Sequence, residues 1–140
     1  MNPHLVEPSS IRQSISRPWV GTEWVVDALG CEDNALRDLE QMVELVSRVI
    51  ADLELKTVGI PQAHQFPFPG GVTVLFMLSE SHLACHTYPE HGLATFNLYC
   101  CRERKSWPWS IELTNRLGAK NVIVRQIIRG NIGNAARGDG

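Results

Sequence analysis

No apolar run in this sequence approaches the roughly 20 residues that span a bilayer; the longest runs only from Val72 to Leu78. The N-terminus lacks the charged-then-apolar pattern of a secretory signal. Dense basic runs are missing too, since 13 Lys and Arg stand against 15 Asp and Glu for a formal charge of −2. Membranes and nucleic acids are thereby disfavoured as partners, and a cytoplasmic protein is expected. Cysteines number four, with no Cys-x-x-Cys among them. Cys31, Cys85, Cys100 and Cys101 are accordingly expected as thiols rather than as a disulfide framework, and the adjacency of the last two would strain any bridge between them.

What is present fits one globular domain. At 140 residues, 44% hydrophobic and 20% charged, the chain can bury about two thirds of its unfolded surface. Residues 1–18, with Pro3, Pro8, Pro18 and several serines, read as a mobile arm. A domain over 19–129 follows, and the glycine- and asparagine-rich 130–140 is expected as a disordered tail. Thr22 to Leu29 alternates as a strand, with Trp24, Val26 and Ala28 on one face. Asp33 is placed to cap one helix whose stripe is Leu36, Leu39, Val43, Val46, Ile50 and Leu53. A short strand over Leu55–Val58 and an extended piece at Ala63–Phe66 are expected next. Val72–Leu78 reads as a strand buried on both faces or at the sheet centre. Strands His82–Tyr88 and Leu93–Cys101 flank a hairpin loop, Pro89 to Gly92. Ser106 is expected to cap a second helix with Pro108 in its first turn and Gly118 past its end, before a last strand over Val122–Ile128. Two helices are too few to cover both faces of such a sheet. The expected fold is a two-layer α/β sandwich (α+β) with a largely antiparallel sheet and its helices on one face.

Chemistry-bearing residues concentrate between Ser79 and Cys101, and three readings of them are open. His82, His86, His91 and the cysteines are metal-ligand types, but a strand puts His82 and His86 on one face and Cys85 on the other, and His-Glu-x-x-His is absent; no metal is expected. Ser81, His86 and one of the paired cysteines could meet across neighbouring strands as a nucleophilic site. In the third reading the histidines cap strand ends and the cysteines fill core.

The stretch Gly71-Val-Thr-Val-Leu-Phe-Met-Leu-Ser-Glu-Ser-His-Leu-Ala-Cys-His-Thr-Tyr-Pro-Glu-His-Gly, followed by Cys101 fifteen residues after His86, resembles the prokaryotic S-adenosylmethionine decarboxylase family over about residues 21–128. Gly21-Thr22-Glu23, with Trp19 two residues earlier, is similar to the first-strand motif of the family's eukaryotic branch. The resemblance implies self-cleavage between Glu80 and Ser81: the Ser81 hydroxyl attacks the preceding carbonyl, the ester eliminates, and hydrolysis leaves a pyruvoyl group on the new chain. That group forms a Schiff base with the substrate amine and accepts electrons as carbon dioxide departs, the role pyridoxal phosphate has elsewhere. No added cofactor is implied.

By the same resemblance His86 is the processing base, a task suited to an imidazole, and Thr73 stands where a processing serine is common. Cys101 is the proton donor to the substrate carbon, while Cys100, on the opposite face of its strand, is expected to pack. Glu90 matches a ribose-binding acid, and Tyr88, Phe66 and Trp19 supply aromatic faces for adenine and the sulfonium. Tyr88 replaces the usual tryptophan, one extra residue lies between Phe66 and Thr73, and Val20 takes the place of an acid. The implied function is S-adenosylmethionine decarboxylation for spermidine and other polyamine synthesis, by a homo-oligomer whose protomers share active-site walls. Arginine or ornithine as substrate is the alternative, kept open by Glu23 and Asp27 on the first strand. A non-catalytic regulatory relative is a second alternative, against which the set Ser81, His86 and Cys101 argues.

Overall fold

A six-stranded antiparallel sheet carries helices on one face only, the architecture expected from the sequence. The computed structural model describes residues 17–133, so most of the arm and tail regions lie outside the described residues. In chain order the elements are β1 (Trp19–Leu29), α1 (Asp33–Leu36), α2 (Leu39–Asp52), β2 (Gln62–Gln65), β3 (Val72–Leu78), β4 (Ser81–Tyr88), a 3₁₀ turn (Pro89–His91), β5 (Leu93–Cys100), α3 (Trp109–Leu117) and β6 (Asn121–Asn131). The sheet order is β2-β3-β4-β5-β1-β6. No helix among the described residues is long and apolar enough to cross a membrane.

Strand alternation divides the sheet into two unlike faces. Trp24, Val26 and Ala28 of β1, Val74 and Phe76 of β3, Leu83 and Cys85 of β4, and Phe96 and Leu98 of β5 are buried with Met42, Leu45, Val46 and Val49 of α2 and Leu113 and Leu117 of α3. Trp109 closes the core against Phe96, with ring centroids 5.6 Å apart. The opposite face has no helix over it. Leu75 and Met77 are exposed there, so β3 is buried on one face and not on both, as its unbroken apolar sequence had suggested.

Four local expectations are corrected. The single helix from Asp33 is two: the Thr87 hydroxyl donates to the Leu36 carbonyl at 2.8 Å, diverting it from the helical ladder. Asp38 then starts α2 afresh by accepting from the Gln41 amide at 3.1 Å. Ser106 caps nothing, its hydroxyl meeting the Trp107 carbonyl at 3.2 Å; Pro108 occupies the N-cap of α3 while Trp107 and Trp109 are buried on either side of it. The strand expected at Leu55–Val58 reduces to a bridge between Thr57 and Leu78, because β2 takes the outer edge of β3 further along, over Gln62–Gln65. At its end β6 continues to Asn131, beyond the Ile128 expected.

The Thr87 hydroxyl also accepts from the Val72 amide at 2.8 Å, tying α1 and β3 to β4 through one buried atom. Beside it Gly71 has no room for a side chain, since a Cβ there would lie 2.6 Å from the Thr87 carbonyl oxygen. Thr87→Val keeps the volume but strands a buried donor and acceptor. We expect a loss of about 2 kcal/mol or more in urea unfolding; a loss below about 0.5 kcal/mol would show these bonds to be dispensable.

Candidate active site

The β3–β4 hairpin pairs Leu78 with Ser81, leaving Ser79 and Glu80 as the turn. The Ser79 amide donates to the Lys56 carbonyl at 2.8 Å. Glu80 is gripped from the other side by Arg102 at 3.0 Å and Arg104 at 3.0 Å. Ser81 opposes Cys100 of β5 in register, and partners so opposed share a face. Its hydroxyl is buried and has no hydrogen-bond partner. An unpaired buried hydroxyl is uncommon in folded proteins and calls for a reason; here it adjoins the peptide bond joining Glu80 to Ser81.

The adjacent cysteines separate at the end of β5. Cys100 is buried and Cys101 exposed, and burial pushes the Cys100 thiol up to about 11. Cys101 lies just past the end of β5, its carbonyl accepting from Arg17 at 2.6 Å. Trp19, at the same end of the sheet, lines a cavity of about 370 Å³ with Thr22, Arg104 and Lys105.

The open face carries a second set of groups. Thr73 and His86 are register partners, and Thr73 Oγ1 lies 3.0 Å from His86 Nδ1. A polar row crosses four strands: His82 Nε2 donates to Asn97 Oδ1 at 2.9 Å, the Asn97 amide donates to Glu23, and Arg129 donates to the other Glu23 oxygen. Asp27 is paired with Arg125 at 3.1 Å. The Asn97 hydrogen bond, aided by Arg129 and opposed by burial, holds the Glu23 carboxyl below its ordinary value of 4.5.

The structure does not bring all the expected site residues together. Ser81 and His86 are on the same strand, five residues apart and of opposite parity, hence about 17 Å apart along it. They cannot meet across neighbouring strands within one chain, as the sequence had suggested. Tyr88 is at the far end of β4, about 23 Å from Ser81, with Glu90 in the turn that follows it. Phe66, half exposed beyond β2, makes an edge contact with His64 at 4.6 Å. Glu80, Ser81, Cys101, Trp19 and Glu23 thus gather at one end of the sheet, and Thr73, His86, Phe66, Tyr88 and Glu90 toward the other. Arg102, Arg104 and Asn97 escaped the sequence reading, and His82, weighed there only as a metal-ligand type, joins the polar row instead. Only the Cys-Arg-Glu-Arg-Lys run after β5 hinted at the first two.

These features define a two-layer α/β sandwich with a row of polar and titratable groups on its uncovered sheet face and a buried, unpartnered serine at one end of the sheet. The family model for S-adenosylmethionine decarboxylase matches residues 22–130. An S-adenosylmethionine decarboxylase proenzyme of Brevibacillus brevis is 36% identical over 115 residues, covering 79% of this chain and 82% of the relative. One from Thermoplasma volcanium is 31% identical over 114 residues, covering 81% and 86%. The crystal structure of the Aquifex aeolicus adenosylmethionine decarboxylase superposes with a TM-score of 0.67 at 26% identity, covering 80% of this chain and 92% of that one. The chain belongs to the S-adenosylmethionine decarboxylase family.

The depressed Glu23 carboxyl has a pH consequence. A group whose folded pKa lies below its unfolded one adds stability that is complete above the unfolded value and is lost as pH falls through the folded one. Denaturation midpoints measured from about pH 6 down to about pH 3 should fall less steeply for Glu23→Gln than for wild type. Parallel acid limbs would mean that Glu23 is not held in this row in solution.

Proposed function

We propose that this chain is a proenzyme that cuts itself between Glu80 and Ser81, and that the product decarboxylates S-adenosylmethionine to supply the aminopropyl donor of polyamine synthesis. The observation that carries the reading is the buried Ser81 hydroxyl, free of partners beside a turn peptide held from both sides. A hydroxyl in that state has little to lose by attacking the Glu80 carbonyl. The resulting ester breaks when a base removes the Ser81 α-proton, giving a Glu80 carboxylate and a dehydroalanine that water converts to pyruvoyl and ammonia. Ser81 thus fits as the precursor of that group, which supplies an electron sink for the departing carboxylate.

His86 fits the base. With a proton on Nδ1 donated to Thr73 Oγ1, 3.0 Å away, Nε2 carries the lone pair. Its separation from Ser81 within one chain supports a composite site: a second copy, related by two-fold symmetry across the open face, would bring its His86 and Thr73 to the hairpin end of this sheet, where the Ser81 α-proton is to be removed. The exposed Leu75, Met77 and Ile127 on that face supply apolar surface for such a contact. In the same assembly Cys101 would donate its proton to the substrate carbon, Glu90 would accept from the ribose hydroxyls, and Tyr88, Phe66 and Trp19 would offer ring faces to the nucleoside. Ionised Glu23 would attract the sulfonium or ammonium charge. The relatives' names favour S-adenosylmethionine over arginine or ornithine. Four free thiols accord with a cytoplasmic location.

Intact mass spectrometry should find chains 1–80 and 81–140, the second blocked by pyruvoyl, and Ser81→Ala should remain full length. The processed protein should release carbon dioxide from carboxyl-labelled S-adenosylmethionine. An unmodified full-length wild-type chain would reject self-processing, and turnover of arginine or ornithine alone would reject the substrate.

A composite site predicts complementation. His86→Ala and Ser81→Ala chains should each stay uncut alone, yet on co-expression the His86→Ala chain should be cut, because its Ser81 meets the other copy's imidazole. Cleavage of neither chain in a demonstrated hetero-oligomer would place His86 and Ser81 in separate machinery.

A further inference from the structure

Glu80 has an unusual environment for a turn residue. Arg104 Nη2 donates to both of its carboxylate oxygens, at 3.0 and 3.3 Å, and Arg102 Nε lies 3.0 Å from the second. The Glu80 and Arg104 side chains are only 20% and 24% exposed, whereas Arg102 is 74% exposed. Exposed pairs contribute little, so the grip is chiefly that of Arg104. One carboxylate does not saturate it. Arg104 Nε is buried and lacks an acceptor, and a buried donor left unpaired is costly. Two guanidiniums thus contact a single negative charge, with a donor to spare, at the residue before the expected cut.

We propose that Arg104, seconded by Arg102, stabilises the Glu80 α-carboxylate as it leaves during self-cleavage; the inference rests on the self-processing reading above. Attack by Ser81 Oγ on the Glu80 carbonyl forms a C–O bond, breaks the C–N bond and returns the hydroxyl proton to the freed amine. Elimination then takes the Ser81 α-proton and breaks the bond from Cβ to oxygen. The electron pair of that bond goes to Glu80 as a second carboxylate on the same residue. The arginines that faced one negative charge then face two, and charges match only after elimination. The assistance therefore falls on the leaving group and not on the first attack.

The test separates the two steps with hydroxylamine, which cleaves the ester to a Glu80 hydroxamate and a free Ser81 amine but leaves the amide intact. Full-length chains are synthesised in a cell-free system, and cleavage is followed by gel and by mass with and without hydroxylamine. Arg104→Gln should slow spontaneous pyruvoyl formation about tenfold or more, while hydroxylamine releases chain 1–80 at close to the wild-type rate because the ester still forms. Arg104→Lys, which keeps the charge, should recover much of the loss. Pyruvoyl formation at the wild-type rate in Arg104→Gln would overturn the proposal. So would a hydroxylamine release slowed as much as the spontaneous reaction, since the defect would then precede the ester. A wild-type chain that yields neither pyruvoyl nor hydroxamate would instead bring down the self-processing reading itself.

Discussion

Helices on one face of the sheet, and none on the other, are the constraint from which the remaining features follow. Strand alternation sends Leu83, Cys85, Phe96 and Leu98 into the helix layer and leaves His82, His86, Asn97 and Glu23 on the uncovered side. The core face carries, besides its thiols and the Thr87 hydroxyl, the buried Ser81 hydroxyl at its edge. The polar row on the open face is then free to be arranged for chemistry, at the cost of apolar surface at Leu75 and Met77 that one chain cannot bury.

On the proposed reading, the separation of Ser81 from His86 gives that uncovered surface a purpose. The hairpin end holds the unpartnered Ser81 hydroxyl beside the Glu80 peptide, and the open face toward the other end holds the His86 imidazole against Thr73. Neither set is complete alone. On the proposed composite-site reading, an enzyme divided in this way would act only once assembled, and the uncovered face and the split site would be two expressions of one design.

Much of this was legible in the residues. The expected stripe placed Val46 and Ile50 in the core of α2, because a helix facing a sheet needs apolar groups every three or four positions. It left out the buried Met42, Leu45 and Val49 and included Leu39 and Val43, which lie at the margin. Cys100, expected to pack, is buried as the last residue of β5, whereas the exposed Cys101, expected in the same strand, lies just past its end. What was not legible depended on distant partners. The break after Leu36 is set by Thr87, 51 positions away, and nothing local to Arg37 or Asp38 announces it. The Glu80–Arg104 pair requires the chain after β5 to turn back beside the β3–β4 hairpin, a path that local propensity does not record. The distance between Ser81 and His86 was overlooked rather than hidden, since an odd spacing within one strand already forbids a common face.

Strand order has one more consequence. Read from the β2 edge, the sheet takes two strands from before residue 80, two from after it, then β1 from before and β6 from after. A chain opened at that point would not come apart into halves, because each piece is laced between strands of the other and they share one core. It would also have lost the tether that aligned them. Refolding from the denatured state would become a bimolecular search, dependent on concentration, where the first folding was unimolecular. Such a molecule keeps in its shape the memory of a continuity that it no longer has, and once unfolded it has no ready route back.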